Sequence, residues 1–243
     1  MKRRVACFLA VLFISGISYA LTLSDIETQV RRNIRDTDSS IQRYSDTILD
    51  AVINEAQDVV VNETWCLRLS TAITLVAGTT YYNLPDDFIA VYQVNFLDNS
   101  NQWGEMEQIS EKVLYDTNPD FEHGGANAPT EYFIRYSTSG GNNLQFGVNP
   151  IPSTTSTGTV RIDYHNQATD MSSDSDVPFD GLLHLYPYHD TLWSYATFRI
   201  KVLEGKTDEA DVYAKLYDRK VEIMKERFKT HPNYNPSIKG APR

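Results

Sequence analysis

The sequence predicts an α+β fold, a helical bundle formed by the N- and C-terminal helices with an inserted antiparallel β-rich domain. Three observations carry this expectation. Apolar residues recur at a 3.6-residue period near the start of the chain and again near its end. The stretch between them is rich in Thr, Val, Ile, Tyr and Phe and is broken by Gly, Asn, Asp and Pro. Blocks of helix on either side of a block of strands argue for α+β rather than alternating α/β.

Residues 1–20 read as a secretory leader. Lys2, Arg3 and Arg4 form a positive start, Val5 to Ile14 is a continuous apolar run, and Ser18-Tyr19-Ala20 is a small-x-small cleavage site. The run is short for a membrane span. The alternative is an upstream extension with the true start at Leu21, encoded by a TTG or CTG codon. Residues 21–65 are expected to be the N-terminal helices of the bundle. Ser24 and Glu27 fit a capping box, and Ile26, Val30 and Ile34 follow at helical spacing up to Arg35-Asp36. After a polar linker, Ser45 is placed to cap a second helix. Its apolar stripe is Ile48, Leu49, Val52, Ile53, Ala56, Val59 and Val60, with Asn54 and Gln57 between.

Residues 66–180 form the expected β-rich insertion, with strands at Cys66–Leu75, Thr79–Asn83, Ala90–Phe96, Tyr132–Ser137, Leu144–Phe146 and Gly158–His165. Thr138 to Asn142 is a hairpin turn and Thr154 to Gly158 another polar turn. Residues 181–230 return to helix: Leu182 to Val202, stopped by Gly205, then Asp208 to Phe228, with Ala210, Tyr213, Ala214, Tyr217, Val221, Met224 and Phe228 on one face. Residues 231–243 hold three prolines and no periodicity, an extended tail unless a partner orders it.

Composition is that of an ordinary globular chain, 41% hydrophobic and 22% charged. The net charge is −10; setting aside the three leader cations leaves 19 basic against 32 acidic side chains, a net of −13. Such a surface does not grip nucleic acid through a broad basic face, because neutralising phosphates takes Lys and Arg. Beyond the leader Cys66 is the lone cysteine, so a processed chain has no internal disulfide and no Cys-based metal site. The 15 tyrosines suit subunit interfaces and suit strands equally.

Motifs that carry chemistry are not found. His184 and His189 are five apart, where a helical metal pair needs four. Asp170, Asp174 and Asp176 resemble a calcium loop in composition but lack its central Gly and distal Glu. Gly124-Gly125 and Gly140-Gly141 do not sit between a strand and a helix. Cys66 beside Trp65 reads as core. No nucleophile elbow, zinc-protease or phosphate-loop sequence occurs. The expectation is therefore no enzyme: no catalytic, cofactor-binding or metal residue, and no cofactor.

Four segments, in order, resemble the head-to-tail connector adaptor proteins of tailed bacteriophages. They are Leu23-Ser24-Asp25-Ile26 to Asp36 with Tyr44 to Gln57; Ala77-Gly78-Thr79-Thr80-Tyr81-Tyr82-Asn83-Leu84-Pro85-Asp86-Asp87-Phe88; Ala128-Pro129-Thr130-Glu131-Tyr132-Phe133-Ile134 with Leu144-Gln145-Phe146 and Pro150-Ile151-Pro152; and Val160-Arg161-Ile162-Asp163-Tyr164 before the C-terminal helices. In Leu84-Pro85-Asp86-Asp87 the proline removes a donor and the aspartates favour a turn, so the strand ends sharply. The resemblance implies a virion protein assembled in the host cytoplasm. It implies a homo-oligomeric ring, typically a dodecamer, docked beneath the portal protein, continuing the DNA channel and offering tail or nozzle proteins a platform. Contact with packaged DNA would be transient and no membrane is involved; the tail would order on a neighbour or on the portal. The rival expectation, resting on the leader and the strand-rich middle, is an exported β-rich protein that binds glycans or peptides.

Overall fold

The computed structural model describes residues 20–98, 102–123, 127–136, 144–155 and 157–228. Within them the chain is mixed α+β, with five α-helices and two four-stranded sheets. The leader, the 138–142 turn, both glycine pairs and the 231–243 tail lie outside the described residues.

Helix α1 (Leu23–Ile34) starts one turn's fraction earlier than Ser24 and Glu27 predict. Its N-cap is Thr22, whose hydroxyl accepts from the Asp25 amide while the Asp25 carboxylate accepts from the Thr22 amide. Both pairs satisfy the same sequence pattern. Burial decides between them, since this start turns Leu23, Ile26, Val30 and Ile34 inward together. It also takes Glu27 into the interior. Arg35 closes the helix in the left-handed region, and its amide returns to Arg31 and Arg32.

Helix α2 (Asp46–Thr64) has Ser45 at its N-cap position without a side-chain bond. The buried stripe is Leu49, Ile53, Ala56, Val60 and Val61, joined by Gln57 and Thr64; Ile48 is exposed and Val52 and Val59 are half-buried, so the predicted stripe is rotated and narrower. The chain then turns at Trp65, and Cys66 and Leu67 pack into the helical core before any strand starts, which shortens the predicted Cys66–Leu75 strand to β1 (Leu69–Thr74).

The remaining strands are β2 (Tyr81–Asn83), β3 (Phe88–Leu97), β4 (Trp103–Glu105), β5 (Glu107–Gln108), β6 (Glu131–Tyr136), β7 (Leu144–Asn149) and β8 (Thr159–Asn166), with helix α3 (Glu111–Thr117) between β5 and β6. One sheet runs β1-β8-β3-β4 and the other β2-β7-β6-β5. All pairings are antiparallel except β5 with β6. Inward side chains of the two sheets, including Val94, Phe96, Val160 and Ile162 from one and Tyr132, Phe146 and Val148 from the other, share a core. A smaller core joins α3 to the second sheet through Leu114, Phe121 and Phe133. There Gly147 has to be glycine: a Cβ on it would lie 2.3 Å from the Phe133 ring.

The expected helix from Leu182 to Val202 divides in two. Residues Phe179–Gly181 and Leu183–Tyr188 form 3₁₀ turns, and α4 (Asp190–Leu203) follows. Pro187 lacks the amide that the interior of an α-helix needs and disfavours helical backbone at Tyr186, so it breaks the predicted continuous helix. Gly205, at φ +72°, ends α4 as predicted, and α5 (Thr207–Phe228) completes the chain described. Residues of α1, α2, α4 and α5 share one apolar core, to which Cys66, Leu67, Met171, Phe179 and Leu185 also belong.

Candidate interaction surfaces

Among the described residues no group of three or more His, Cys, Asp and Glu side chains is placed to hold a metal ion. His184 is exposed and packs its ring against Phe228, whereas His189 is fully buried against Phe179 and Tyr186. Burial drives the His189 pKa down to about 4, and its Nδ1 accepts a hydrogen bond of 3.1 Å from the Leu21 amide. Asp176 ties its own loop together by accepting from the Ser172 and Ser173 amides, while the backbone carbonyls of Asp174 and Asp176 receive the amides of Ser24 and Leu23. The calcium-loop composition thus belongs to a segment that anchors the start of α1. Cys66 is buried, and desolvation lifts its thiol to about 11.

Three polar arrangements hold the molecule where regular secondary structure gives out. The first pins the connection from β8 to α4 onto α2. Gln57, fully buried, accepts from the Phe179 amide at 2.7 Å and donates to the Thr169 carbonyl at 3.0 Å. Asn54 donates to the Met171 carbonyl at 2.9 Å and accepts from its amide at 3.0 Å, as a neighbouring strand would. Phe179 and Asp180, at φ 54° and 55°, take a backbone conformation that L residues rarely adopt, and the Gln57 bond holds it. The second arrangement closes the end of the helices where the α1–α2 linker meets the α4–α5 turn. Arg31 pairs with Asp36 and Asp46, and Arg43 with Asp36 and Glu204, the latter also held by Lys206. The third is Lys201, buried on α4, whose ammonium meets the half-exposed Glu209 at 2.6 Å.

A fourth cluster is acidic. Glu27 on α1 is buried, which raises its carboxyl to about 8; a hydrogen bond to Asp50 and the nearby charges of Asp50, Asp46 and Asp174 push the same way. None of these groups is singled out by local spacing, because each partner lies on a different element. Sequence reading could have found Arg31 and Arg43 only as charges flanking a polar linker.

What remains facing outward is apolar surface on helix faces. Val212 and Ile223 are exposed on α5, with Leu216 half-buried one helical turn after Val212 and two turns before Ile223, and Leu203 and Ile41 are exposed at the linker end. Trp103 is exposed on edge strand β4. No helix among the described residues is long and apolar enough to cross a membrane.

No curated protein matches this chain. The family model described as SU10 adaptor protein matches residues 21–237, nearly the whole of the 243, and the chain therefore belongs to that family of bacteriophage structural adaptor proteins.

Proposed function

We propose that this protein is the head-to-tail adaptor of a tailed phage, a subunit of a closed ring of twelve copies seated beneath the portal protein. The ring continues the DNA channel and gives the tail or nozzle proteins their platform. It acts by binding alone, without a catalytic step, and assembles in the host cytoplasm. The observation that carries this reading is the family match over residues 21–237.

Physical features support it. A ring closes through heterologous contacts, in which two different surfaces of each subunit meet. Apolar side chains exposed at separate places on the helices, Val212 and Ile223 on α5, Ile48 on α2, and Leu203 with Ile41 at the linker end, suit such contacts. In this reading the helices form the bundle that makes the body of the ring, and the β part projects from it. An acidic surface, net −13 beyond the leader, lets DNA pass without adhering.

The deciding experiment mixes the purified protein with isolated portal particles and images the product by electron microscopy. A ring of this chain on the portal is expected; protein that ignores portals and stays monomeric would sink the reading. Strong, salt-dependent DNA binding by the isolated ring would contradict the low-friction channel.

A further inference from the structure

Two helices carry the same pattern outside their buried faces. On α5 the row turned away from the buried Ala210, Tyr217, Val221 and Met224 is Val212, Leu216, Arg219 and Ile223. On α2 the row flanking the buried Leu49, Ile53, Ala56 and Val60 is Ile48, Val52, Glu55 and Val59. Both rows step by four, three and four, the spacing of a seam on which a second helix packs. Each is about 16 Å long. Each is apolar except at its third position, which is Arg219 in one and Glu55 in the other. Val212, Ile223 and Ile48 are 64%, 44% and 46% exposed, and Leu216, Val52 and Val59 are half-buried.

The two charged side chains are complementary. Arg219 is exposed and has neither an ion pair nor a side-chain hydrogen bond among the described residues. Glu55 is held in place by α4. The Tyr195 hydroxyl donates to its Oε1 at 2.9 Å, and the Arg199 guanidinium lies 3.1 Å from the same oxygen. Both contacts fall on Oε1, so among the described residues Oε2 accepts no hydrogen bond. A carboxylate has room for donors at both oxygens. The Glu55 and Arg199 side chains are 40% and 44% exposed, so the pair is open to solvent and a second guanidinium can reach it.

We infer that the α5 row of one copy packs on the α2 row of the next, the two helices running in the same direction, with Arg219 against Glu55. This names the two faces of the ring contact and rests on the ring reading. Val212 then meets Ile48, Leu216 meets Val52 and Ile223 meets Val59, so apolar layers stack on either side of one ion pair. Neither row fits its own copy as well. Two α5 rows in parallel would set Arg219 against Arg219, and antiparallel would set it against Leu216. Two α2 rows fail in the same way at Glu55. The contact therefore joins unlike faces, the kind that closes a ring. Four residues on each side are a small part of the roughly 20–30 that a stable interface engages. The contact is weak between two free copies and is secured when a closed ring gives every copy two of them.

Rings assembled on isolated portal particles test the pairing. In a chain carrying both Ile48→Cys and Val212→Cys, oxidation is expected to join copies into a ladder of covalent oligomers on a denaturing gel without reductant. Each single-cysteine chain is expected to stay monomeric on the same gel. Arg219→Glu breaks no ion pair or side-chain hydrogen bond among the described residues, and it is expected to lower ring occupancy of portals at least tenfold. Lys112→Glu, the same charge change on α3, is expected to leave occupancy at the wild-type level. Dimers from either single-cysteine chain would show a contact between like faces and overturn the pairing. Rings of the double-cysteine chain that give no ladder, or an equal loss in both charge variants, would overturn these faces while the ring reading stands. Wild-type protein that forms no ring on portals would overturn the ring reading, and this pairing with it.

Discussion

Gln57→Leu removes one amide group and tests how the β8–α4 connection is held. The substitution keeps the length and most of the volume of a fully buried side chain, so packing changes little. It strips the Phe179 amide of its acceptor at 2.7 Å and the Thr169 carbonyl of its donor at 3.0 Å. Phe179 is itself fully buried, so its amide has no route to water; such an orphaned donor costs about 1–3 kcal/mol. Thr169 is exposed and its carbonyl can rehydrate, which limits that loss to about 0.5–1.5 kcal/mol. The expected destabilisation is about 3 kcal/mol, a large share of the roughly 5–15 kcal/mol that folded domains possess. Urea unfolding followed by circular dichroism measures it, with Gln57→Glu as a companion. The glutamate keeps an acceptor for Phe179 but sets a second oxygen against Thr169, so its deficit should shrink as acid protonates it. A loss below about 0.5 kcal/mol for Gln57→Leu would refute the reasoning. So would a Glu variant whose deficit ignores pH.

Burial lowers the His189 pKa to about 4 from the ordinary 6.5, so the unfolded chain binds the extra proton and stability falls as pH drops from 6.5 to 4. Burial raises Glu27 to about 8 from 4.5, so the folded chain binds the extra proton and stability falls as pH rises from 4.5 through 8. The two slopes oppose each other between 4.5 and 6.5, leaving a plateau, and above it the wild type should lose at most about 1.4 kcal/mol per pH unit until about pH 8. Thermal melts across pH should show this decline, and Glu27→Gln should abolish it; an unchanged decline refutes the assignment. Glu209→Gln should destabilise by about 2 kcal/mol, more than Lys201→Met, because it leaves a buried ammonium without its partner, and the reverse order in urea melts would contradict this. Gly147→Ala should cost about 1–3 kcal/mol by driving a methyl into the Phe133 ring, read out as a lowered Tm.

The elements that could be read from the sequence are those whose signal is local and long. The α2 and α5 stripes repeat over five or six turns, Gly205 marks a left-handed stop, and the strands around Val91, Phe133 and Ile162 combine β-branched and aromatic residues between turn residues. Three kinds of feature could not be read. Short elements such as β4, β5 and α3 hold too few residues for a period to register. Degenerate signals, such as Thr22/Asp25 against Ser24/Glu27, are settled only by which start buries Leu23. Long-range partners are invisible locally: Asn54 meets Met171 across 117 positions, and β1 meets β8 across 85 to 95, from Thr74↔Thr159 to Leu69↔Tyr164. The family resemblance was legible because it rests on the order of local turn motifs, while the surfaces that would serve partners depend on which faces packing leaves bare.

The polar bonds to α2 bear on how the helical core and the sheet core are joined. The helices and the paired sheets have separate apolar cores. Between Asn166 and Asp190 the chain passes from one to the other with only 3₁₀ turns, and its amides and carbonyls have no ladder to join. Asn54 and Gln57 answer four of those groups from a rigid helix, Leu23 and Ser24 engage the carbonyls of Asp176 and Asp174, and Asp180 closes onto Thr169. Phe179 and Met171, in the middle of this stretch, are buried in the helical core. Side chains from α2 thus stand in for the missing secondary structure along the connection. Loosening it at Gln57 should free the connection while leaving both apolar cores packed. Hydrogen exchange in Gln57→Leu should then quicken in residues 167–181 more than in α4 or β8, and uniform quickening would mean that the two cores unfold as one.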